Sequence, residues 1–557
     1  MTCNLLVLRQ RVLLVGETVR EGGTGSLSSV RVPMTRSIVR LPFLWLAVAA
    51  LCGCPGDPQP QPISCSGAFD GTPCESGKVC SDGACVPVST TRTVSGTFRT
   101  VHRAEAGTTT VDALPPGGEL LAAVLVEDAS PDGYATFAAS ADASGAFSVA
   151  GVPVGRYYLQ LVRGSEVRLV PLVRSSPDLS IVIPARPDLA RVSVSTPVTA
   201  DVTNLTPWAP SNDILMFSQQ ADVWAFVSQS VGAAPAADAT SYSWSFDWNQ
   251  VVGATRKQGL PDPAASDVVF VVERVASAVQ SGGASATVRR ATRYARLDAV
   301  HVQDGVTAAF GVPLVDAPQT ASVPANFEGT AFAALAPSVN PSATSSGMGM
   351  SVRAVPQASA YPDLPSGAEM PVLGLSSASG ADVDWGVQAY GTFLDATWTE
   401  YRQITYSFRT PLSTQTPLAS GSITLSESMG ALTGGPAVPR LGPPTSPWIE
   451  GRDAFASQSG VGLQPVLSWS PPALGTPTSY EVTVIAHAGV MPGDVRTVRA
   501  TVYGTSFRVP PGLLAAGRSY FFRVTARSAP WDRPDAAPFR RGLPLYTADC
   551  VSATFTP

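Results

Sequence analysis

Apolar and polar residues alternate with a period of two along much of the chain, and clusters of glycine and proline interrupt the alternation. Such alternation is typical of half-buried β-strands, whose successive side chains point to opposite faces of a sheet. Between residues 91 and 187, seven segments of this kind predict an antiparallel sandwich. They read VSGTFRTVH, ELLAAVLVE, YATFAAS, GAFSVAG, GRYYLQLV, EVRLVPLV and DLSIVIPA.

One part of this sandwich, ASGAFSVAGVPVGRYYLQLV, joins two alternating strands through a Gly-x-Pro-x-Gly turn. Phe147 and Val149 alternate on the first strand, and Tyr157, Leu159 and Leu161 alternate on the second, so each strand has one apolar face. This segment, with the opening VSGTF, resembles the carboxypeptidase regulatory-like, transthyretin-like domain family. The resemblance implies an accessory, non-catalytic β-sandwich over residues 91–187.

The C-terminal part contains PVLSWSPP, TSYEVTVIA, TSFRVP and GLLAAGRSYFFRVTARS, in which Tyr520 stands six residues after Leu514. These segments resemble a fibronectin type III domain over Leu463–Pro557, so residues 443–557 are predicted to comprise a linker and this domain. The resemblance implies that Trp469 is the core tryptophan and that Tyr520 forms a tyrosine corner. The segment APWDRPDAAPFRRGLPLYTADC before the last strand is longer than usual. It is predicted to be a binding loop or an ordinary solvent-exposed insertion.

The central region, residues 188–442, has strand-like alternations such as SYSWSFDWNQVV and EYRQITYSFRTPL without a strong internal repeat. One large or two ordinary β-sandwiches are expected there. Charged residues make up only 14% of the chain, which disfavours long solvated helices. The predicted fold class is therefore all-β, a multidomain chain of β-sandwiches with a small disulfide-rich N-terminal module.

Near the N-terminus, an apolar run from Leu41 to Leu51 follows the cationic start Met34–Arg40. The run is too short for a membrane span, which needs roughly 20 residues, and the order of charges and apolar residues is typical of a secretory signal. Counted from Met34 to residue 53 the signal has 20 residues, whereas from Met1 it has 53. We therefore predict that translation starts at or near Met34, within the leader 1–53.

The signal ends in Leu51, Cys52, Gly53 and Cys54, and this tetrad resembles the bacterial lipobox. The resemblance implies cleavage before Cys54, a diacylglycerol on its thiol and acylation of the freed amine. Residues 54–64 are then a lipidated, proline-rich tether. An ordinary cleaved signal with an incidental cysteine is the alternative. Pro55, in the place where known sorting signals carry aspartate, implies the outer membrane.

Four cysteines lie close together in CSGAFDGTPCESGKVCSDGACV, at Cys65, Cys74, Cys80 and Cys85. So little chain cannot bury a core without covalent help, so residues 65–87 are predicted to be a module with two disulfides. Spacing alone leaves three pairings open. A likeness to small EGF-like modules implies Cys65–Cys80 and Cys74–Cys85. Zinc is less favoured because the C-x2-C spacing is missing. Cys550 is expected to be a buried small apolar residue.

The charge of the chain excludes one class of partner. Removing residues 1–53, which carry six arginines and two glutamates, changes the formal net charge from -5 to -9. An acidic chain without a Lys/Arg cluster is a poor nucleic-acid binder, because binding requires neutralisation of phosphates.

Histidine occurs only at His102, His301 and His487, which are spread over three predicted domains. This dispersion disfavours a histidine-based metal site or a triad base. His301, near Asp304, is the best candidate, but a surface histidine is the preferred interpretation.

Paired carboxylates can hydrolyse glycosidic bonds, and Asp382 and Asp384 flank one residue beside Trp385. Solvent-exposed turn acids explain this pair more simply. The string DWNQ from Asp247 lacks the alternating ligands and the glycine of an EF-type calcium loop. The sequence therefore predicts no catalytic residue, no metal and no cofactor.

These observations predict a membrane-anchored bacterial surface lipoprotein with a non-catalytic binding, adhesion or structural role. Its expected location is the cell envelope, on the outer membrane. The expected partners are the membrane, through the lipid anchor, and carbohydrate or another envelope protein. The alternative is a polysaccharide-acting hydrolase, with its active site in the central region and accessory flanking domains.

Overall fold

The computed structural model describes the chain from residue 73 onward, with short gaps. The described ranges are 73–75, 78–81, 84–87, 90–104, 107–113, 115, 118–127, 133–226, 234–250, 259–356, 369–394, 398–412, 418–432, 435–487, 495–530 and 535–557. The predicted start at Met34, the leader 1–53, the tether 54–64, Cys54 and Cys65 lie outside the described residues. Strands greatly outnumber helices among the described residues, which confirms the all-β class.

The cysteine-rich segment forms a small antiparallel sheet of β1 (Pro73–Glu75), β2 (Lys78–Ser81) and β3 (Ala84–Pro87). A disulfide joins Cys74 to Cys85, with their Cα atoms 6.2 Å apart. This bond agrees with one of the two predicted pairings. Cys80 is buried and also disulfide-bonded.

Residues 91–187 form a sandwich of two sheets. Its strands are β4 (Thr91–Ala104), β5 (Gly107–Asp112), β6 (Leu120–Glu127), β7 (Tyr134–Ala138), β8 (Ala146–Pro153), β9 (Tyr157–Arg163), β10 (Glu166–Leu172) and β11 (Leu179–Ile183). One sheet groups β4 with β5, β8 and β11, and the other runs β7–β6–β9–β10. The apolar residues predicted to alternate on β8 and β9 are all buried between the sheets.

Gly145 shows why the turn before β8 requires glycine. Its φ of +82° lies in the left-handed region that other residues rarely adopt. A Cβ at this position would lie 1.8 Å from the carbonyl oxygen of Ala113. No side chain fits there without moving the backbone.

The described residues of the central region form fourteen strands and two short helices. The strands are β12 (Pro197–Thr203), β13 (Asp213–Ser218), β14 (Val223–Phe226), β15 (Ser241–Asp247), β16 (Val269–Ser281), β17 (Ala284–Leu297), β18 (Ala308–Pro313), β19 (Val315–Asp316), β20 (Ala321–Phe327), β21 (Thr344–Pro356), β22 (Met370–Ser377), β23 (Val383–Tyr390), β24 (Trp398–Pro411) and β25 (Leu418–Ser428). The helices are α1 (Gly329–Ala333) and α2 (Ala336–Val339). Single 3-10 turns cover Trp248–Gln250, Pro263–Ala265 and Met429–Ala431.

Two apolar clusters fill this region. The first cluster contains buried apolar residues of the sheet β15–β12–β18 and of the neighbouring strands β13, β14 and β16. It includes the stacked rings of Trp244 and Phe246. The second lies under β21, β22, β24 and β25, where Phe332 of α1 stacks on Tyr406 with ring centroids 5.3 Å apart.

Ten strands are described in the C-terminal part, outside residues 488–494 and 531–534. They are β26 (Thr445–Ile449), β27 (Arg452–Asp453), β28 (Gln458–Ser459), β29 (Val466–Ser470), β30 (Ser479–Ala486), β31 (Val495–Val502), β32 (Ser506–Arg508), β33 (Tyr520–Ser528), β34 (Leu545–Val551) and β35 (Phe555–Thr556). One sheet is β27–β26–β29–β32, and the facing strands run β31–β30–β33–β34. Trp469 is buried against Tyr480, and the hydroxyl of Tyr520 accepts the Ala515 N–H at 2.9 Å. Cys550 is buried with a free thiol, as predicted.

One long sheet crosses the predicted domain boundaries. Its pairings run β7–β6–β9–β10–β31–β30–β33–β34–β25–β24–β21–β22–β17–β16–β13–β14. The pairing that joins the 91–187 sandwich to the C-terminal part is parallel, with Val167 of β10 opposite Val498 of β31. The pairing that joins the C-terminal part to the central region is antiparallel, with Thr424 of β25 opposite Thr547 of β34. The three large predicted domains therefore share backbone hydrogen bonds.

The long segment before β34 packs on the first sandwich. We call its described residues 535–543 the bridging segment. The Asp178 N–H donates to the Ala536 carbonyl at 2.8 Å, and Phe539 is buried in the core of the 91–187 sandwich. Its ring centroid lies 6.3 Å from that of Phe98. The expectation of a binding loop or a solvent-exposed insertion is therefore wrong for these residues, because their contacts lie within the chain.

Candidate functional site

A concavity of about 530 Å³ lies on one face of the long sheet, across β22, β21, β24, β25, β34 and β33. We call it the serine groove, because hydroxyl side chains dominate its described lining: Ser346, Ser376, Ser377, Thr405, Ser407, Ser420 and Ser422. Its volume lies within the range of roughly 300–1,000 Å³ that is typical of ligand pockets.

The alternation of β24 explains why this face is polar. Ile404, Tyr406 and Phe408 are buried toward the apolar core, so Thr405 and Ser407 point to the opposite face. Ser407 lies directly opposite Ser422 of β25 on one side and opposite Gly347 of β21 on the other. The cross-strand register therefore places the hydroxyls side by side. Gly347 and Gly349 of β21 also line the groove and add no side chain to it.

Asp549 fixes one wall of the groove. The residue is buried, with only 5% of its surface exposed. Its Oδ2 accepts the Ser422 N–H at 2.8 Å and the Ser422 hydroxyl at 3.0 Å. Its Oδ1 accepts the Thr525 hydroxyl at 2.6 Å. Both carboxylate oxygens thus hold β25, β34 and β33 together. Among the described residues that line the groove, Asp549 is the single carboxylate.

Arginines supply the positive charge of this face. Arg409 and Arg523 line the groove itself. On the strands beyond the groove, Thr483 of β30 lies directly opposite Arg523. Arg499 of β31 lies opposite Thr483, and Arg168 of β10 lies opposite Arg499. We call Arg168, Arg499 and Arg523 the arginine row. Burial, followed by the charge of Arg499, lowers the pKa of Arg168 to about 10.

Glu481 balances part of this charge, with its Oε2 3.7 Å from Nε of Arg499. Burial alone would raise the pKa of Glu481, but Arg499, Arg527 and Arg168 more than offset burial, so the pKa is lowered. A carboxyl with a lowered folded-state pKa stabilises the fold above its unfolded pKa of about 4.3. That stability is lost as pH falls through the folded-state pKa.

We therefore expect Glu481→Gln to lower the free energy of unfolding at pH 7 by about 1 kcal/mol or less and to have a smaller effect at pH 3. Urea unfolding of the wild type and the variant over this pH range measures the difference. Glu328→Gln, on an exposed carboxylate beside α1, is the matched control. An effect of Glu481→Gln that grows as pH falls would contradict the assignment.

The acids considered for a sugar site make structural contacts. Asp382 accepts the Thr330 N–H at 2.9 Å and the Thr330 hydroxyl at 2.7 Å, and Asp384 accepts the Gly386 N–H at 2.8 Å. Both acids are exposed, whereas Trp385 is buried on the other face of β23. Trp385 thus lies on the opposite face of β23 from Asp384, and both acids are solvent-exposed, with Asp382 directly before β23 and Asp384 within it.

The other candidate polar residues also stabilise loops. Nδ1 of His301 lies 3.4 Å from Asp262, while Asp304 accepts the Ser193 N–H at 2.8 Å. Asp247 accepts two loop amides at 3.0 and 3.1 Å. Within the described residues, no group of three or more His, Cys, Asp or Glu side chains could hold a metal ion. In the same residues, no helix is long and apolar enough to cross a membrane.

Sequence reasoning missed the serine groove because its strands come from two predicted domains. A signal was present in ITYSF and SGSITLSES, where small hydroxyl residues occupy every second position. Their alignment across strands depends on pairing register, which the sequence does not display.

Comparison with known proteins does not assign the chain to a family. No protein-family model matches the chain, and no curated protein is significantly similar to it in sequence. The functional argument is therefore based on the groove and on the sequence signals described above.

Proposed function

We propose that this protein is a lipid-anchored bacterial envelope protein with a non-catalytic binding role, and that the serine groove is its binding surface. The observation that carries the proposal is the construction of the groove on six neighbouring strands, each hydrogen-bonded on both sides. Binding surfaces on regular, fully paired elements hold their side chains more accurately than surfaces on loops.

The chemistry of the groove favours binding over catalysis. Asp549 already accepts three hydrogen bonds, so its oxygens are occupied in holding the strands. The remaining polar lining consists of hydroxyls and the guanidinium groups of Arg409 and Arg523, which donate hydrogen bonds. Incubation with a polysaccharide panel should give retention without product release. Product release that Asp384→Asn abolishes would support the hydrolase alternative instead.

The anchor is proposed from the lipobox resemblance at Leu51–Cys54. Several acyl chains, at about 0.8 kcal/mol per buried methylene, hold a protein on a bilayer far better than one chain. The proposed location is the outer membrane. The small cysteine module and the two flanking sandwiches, which resemble regulatory-like and fibronectin type III domains, are proposed to be accessory parts that present the groove.

We expect Cys54→Ala to abolish incorporation of radiolabelled palmitate and to move the protein from the membrane fraction to the soluble envelope fraction. The thiol of Cys54 is the proposed acceptor, so no other cysteine should replace it. Cys52→Ala is the matched control, two residues away, and should keep the label. Continued labelling of Cys54→Ala would contradict the proposed anchor.

A further inference from the structure

We infer that the serine groove binds an extended acidic polysaccharide, with Arg409 and Arg523 as the residues that recognise its negative charge. The inference rests on the proposed binding function and specifies its ligand class. The groove crosses six strands, which at a spacing of about 4.8 Å corresponds to a width of roughly 24 Å. Such a width fits a chain of linked units better than a compact ligand.

The floor of the groove matches a polyhydroxyl chain. Hydroxyl side chains both donate and accept hydrogen bonds, as sugar hydroxyls do. Thr405 and Ser407 stand two residues apart on β24, with Thr424 and Ser422 directly opposite on β25. The Thr405 and Thr424 hydroxyls lie 3.3 Å apart. This two-by-two array offers regularly spaced polar contacts along and across the strands.

Arg523 gives this part of the groove a cation that can pair with an anionic group. It lines the groove, and its Nε has no hydrogen-bond partner in the described part of the chain. Thr483 lies directly opposite Arg523 but is 0% exposed and is not among the lining residues, so of the two only Arg523 is placed to contact a ligand. A carboxylate suits Arg523, because guanidinium groups match its planar geometry.

Two other polymers fit the groove less well. A peptide that adds a strand needs a free sheet edge. Each groove strand is already paired on both sides, so its backbone donors are used. Single-stranded nucleic acid is usually held by stacking on aromatic rings. The described lining of the groove contains hydroxyls, glycines, charged groups and Met348, and no aromatic ring.

The test is calorimetric titration of the full chain with an oligogalacturonate and with a neutral malto-oligosaccharide of equal length. The wild type should bind the acidic ligand, and its affinity should fall as salt is raised. Arg523→Gln and Arg409→Gln should each weaken binding by about tenfold, because each removes a charge-assisted contact. Thr483→Val keeps the side-chain shape, lies outside the groove lining and should bind as the wild type does. Arg452→Gln, on exposed β27, is the matched control and should bind as the wild type does.

Three results would overturn the inference. The first is equal binding of the neutral ligand. The second is acidic-ligand binding that Arg523→Gln and Arg409→Gln leave unchanged. The third is binding of an envelope protein or peptide with neither sugar bound. Each of these leaves the proposed binding role standing, since that role also covers neutral glycans and protein partners. Far-ultraviolet circular dichroism of each variant separates lost binding from lost folding. Acylation of Cys54 is measured separately and does not depend on the groove.

Discussion

Phe539→Ala should lower the free energy of unfolding by about 3–5 kcal/mol, the usual cost of removing a buried phenylalanine side chain. Phe539 is only 6% exposed and lies in the core of a sandwich that begins more than 400 residues earlier in the chain. Its ring contacts Phe98, and the Arg168 guanidinium lies 5.0 Å from the ring centroid. The variant therefore loses apolar burial, an aromatic pair and a cation–π contact together.

Urea unfolding monitored by tryptophan fluorescence measures this loss, and hydrogen exchange should locate it in β4 and β8 around Phe98. Phe539→Leu keeps most of the volume and should cost less than about 2 kcal/mol. Pro530→Ala, on an exposed residue before the bridging segment, should change stability by less than about 0.5 kcal/mol. A cost below about 1 kcal/mol for Phe539→Ala would show that the bridging segment does not contribute to the core.

Asp213→Leu should lower the free energy of unfolding by a similar amount, about 3–5 kcal/mol, because it leaves a buried positive charge without its partner. Asp213 is 1% exposed and lies directly opposite Arg274 on the neighbouring strand. Nε and Nη2 of Arg274 donate to the two carboxylate oxygens at 2.8 and 2.7 Å. Equilibrium urea unfolding at pH 7 is the appropriate measurement.

The double variant Asp213→Leu/Arg274→Met distinguishes a lost charge pair from a general packing defect. Replacing both partners of a buried ion pair by apolar residues is often neutral or stabilising, so stability should return to within about 2 kcal/mol of the wild type. The exposed pair Arg99–Asp112 has a similar distance of 2.9 Å and is the control, with Asp112→Ala expected to cost less than about 1 kcal/mol. Equal costs for the exposed and the buried aspartate would contradict the argument.

Local structure was largely predictable from the sequence, because alternation and turn residues act over short distances. The burial of Phe147, Val149, Tyr157, Leu159 and Leu161 follows directly from the period-two pattern. Tyr520, Trp469 and Cys550 are likewise buried as expected.

Long-range pairing was not predictable, because a period of two identifies the buried face of a strand and not its neighbour. The joints between β10 and β31 and between β25 and β34 connect strands that are far apart in sequence. The serine groove depends on the pairing of β25 with β34. Because that pairing was not predicted, the groove was not predicted either. The bridging segment was misjudged because proline and arginine suggested a surface loop. The large apolar side chain of Phe539 was the sequence feature that indicated burial.

The shared sheet limits how this chain could be shortened or recombined during evolution. Cutting it after residue 187 would remove the partner of β10, and cutting it after residue 442 would remove the partner of β25. Each truncated piece would expose a row of unsatisfied backbone groups, which invites association with other chains. The segments are therefore expected to be inherited together, although their sequence patterns read as separable units.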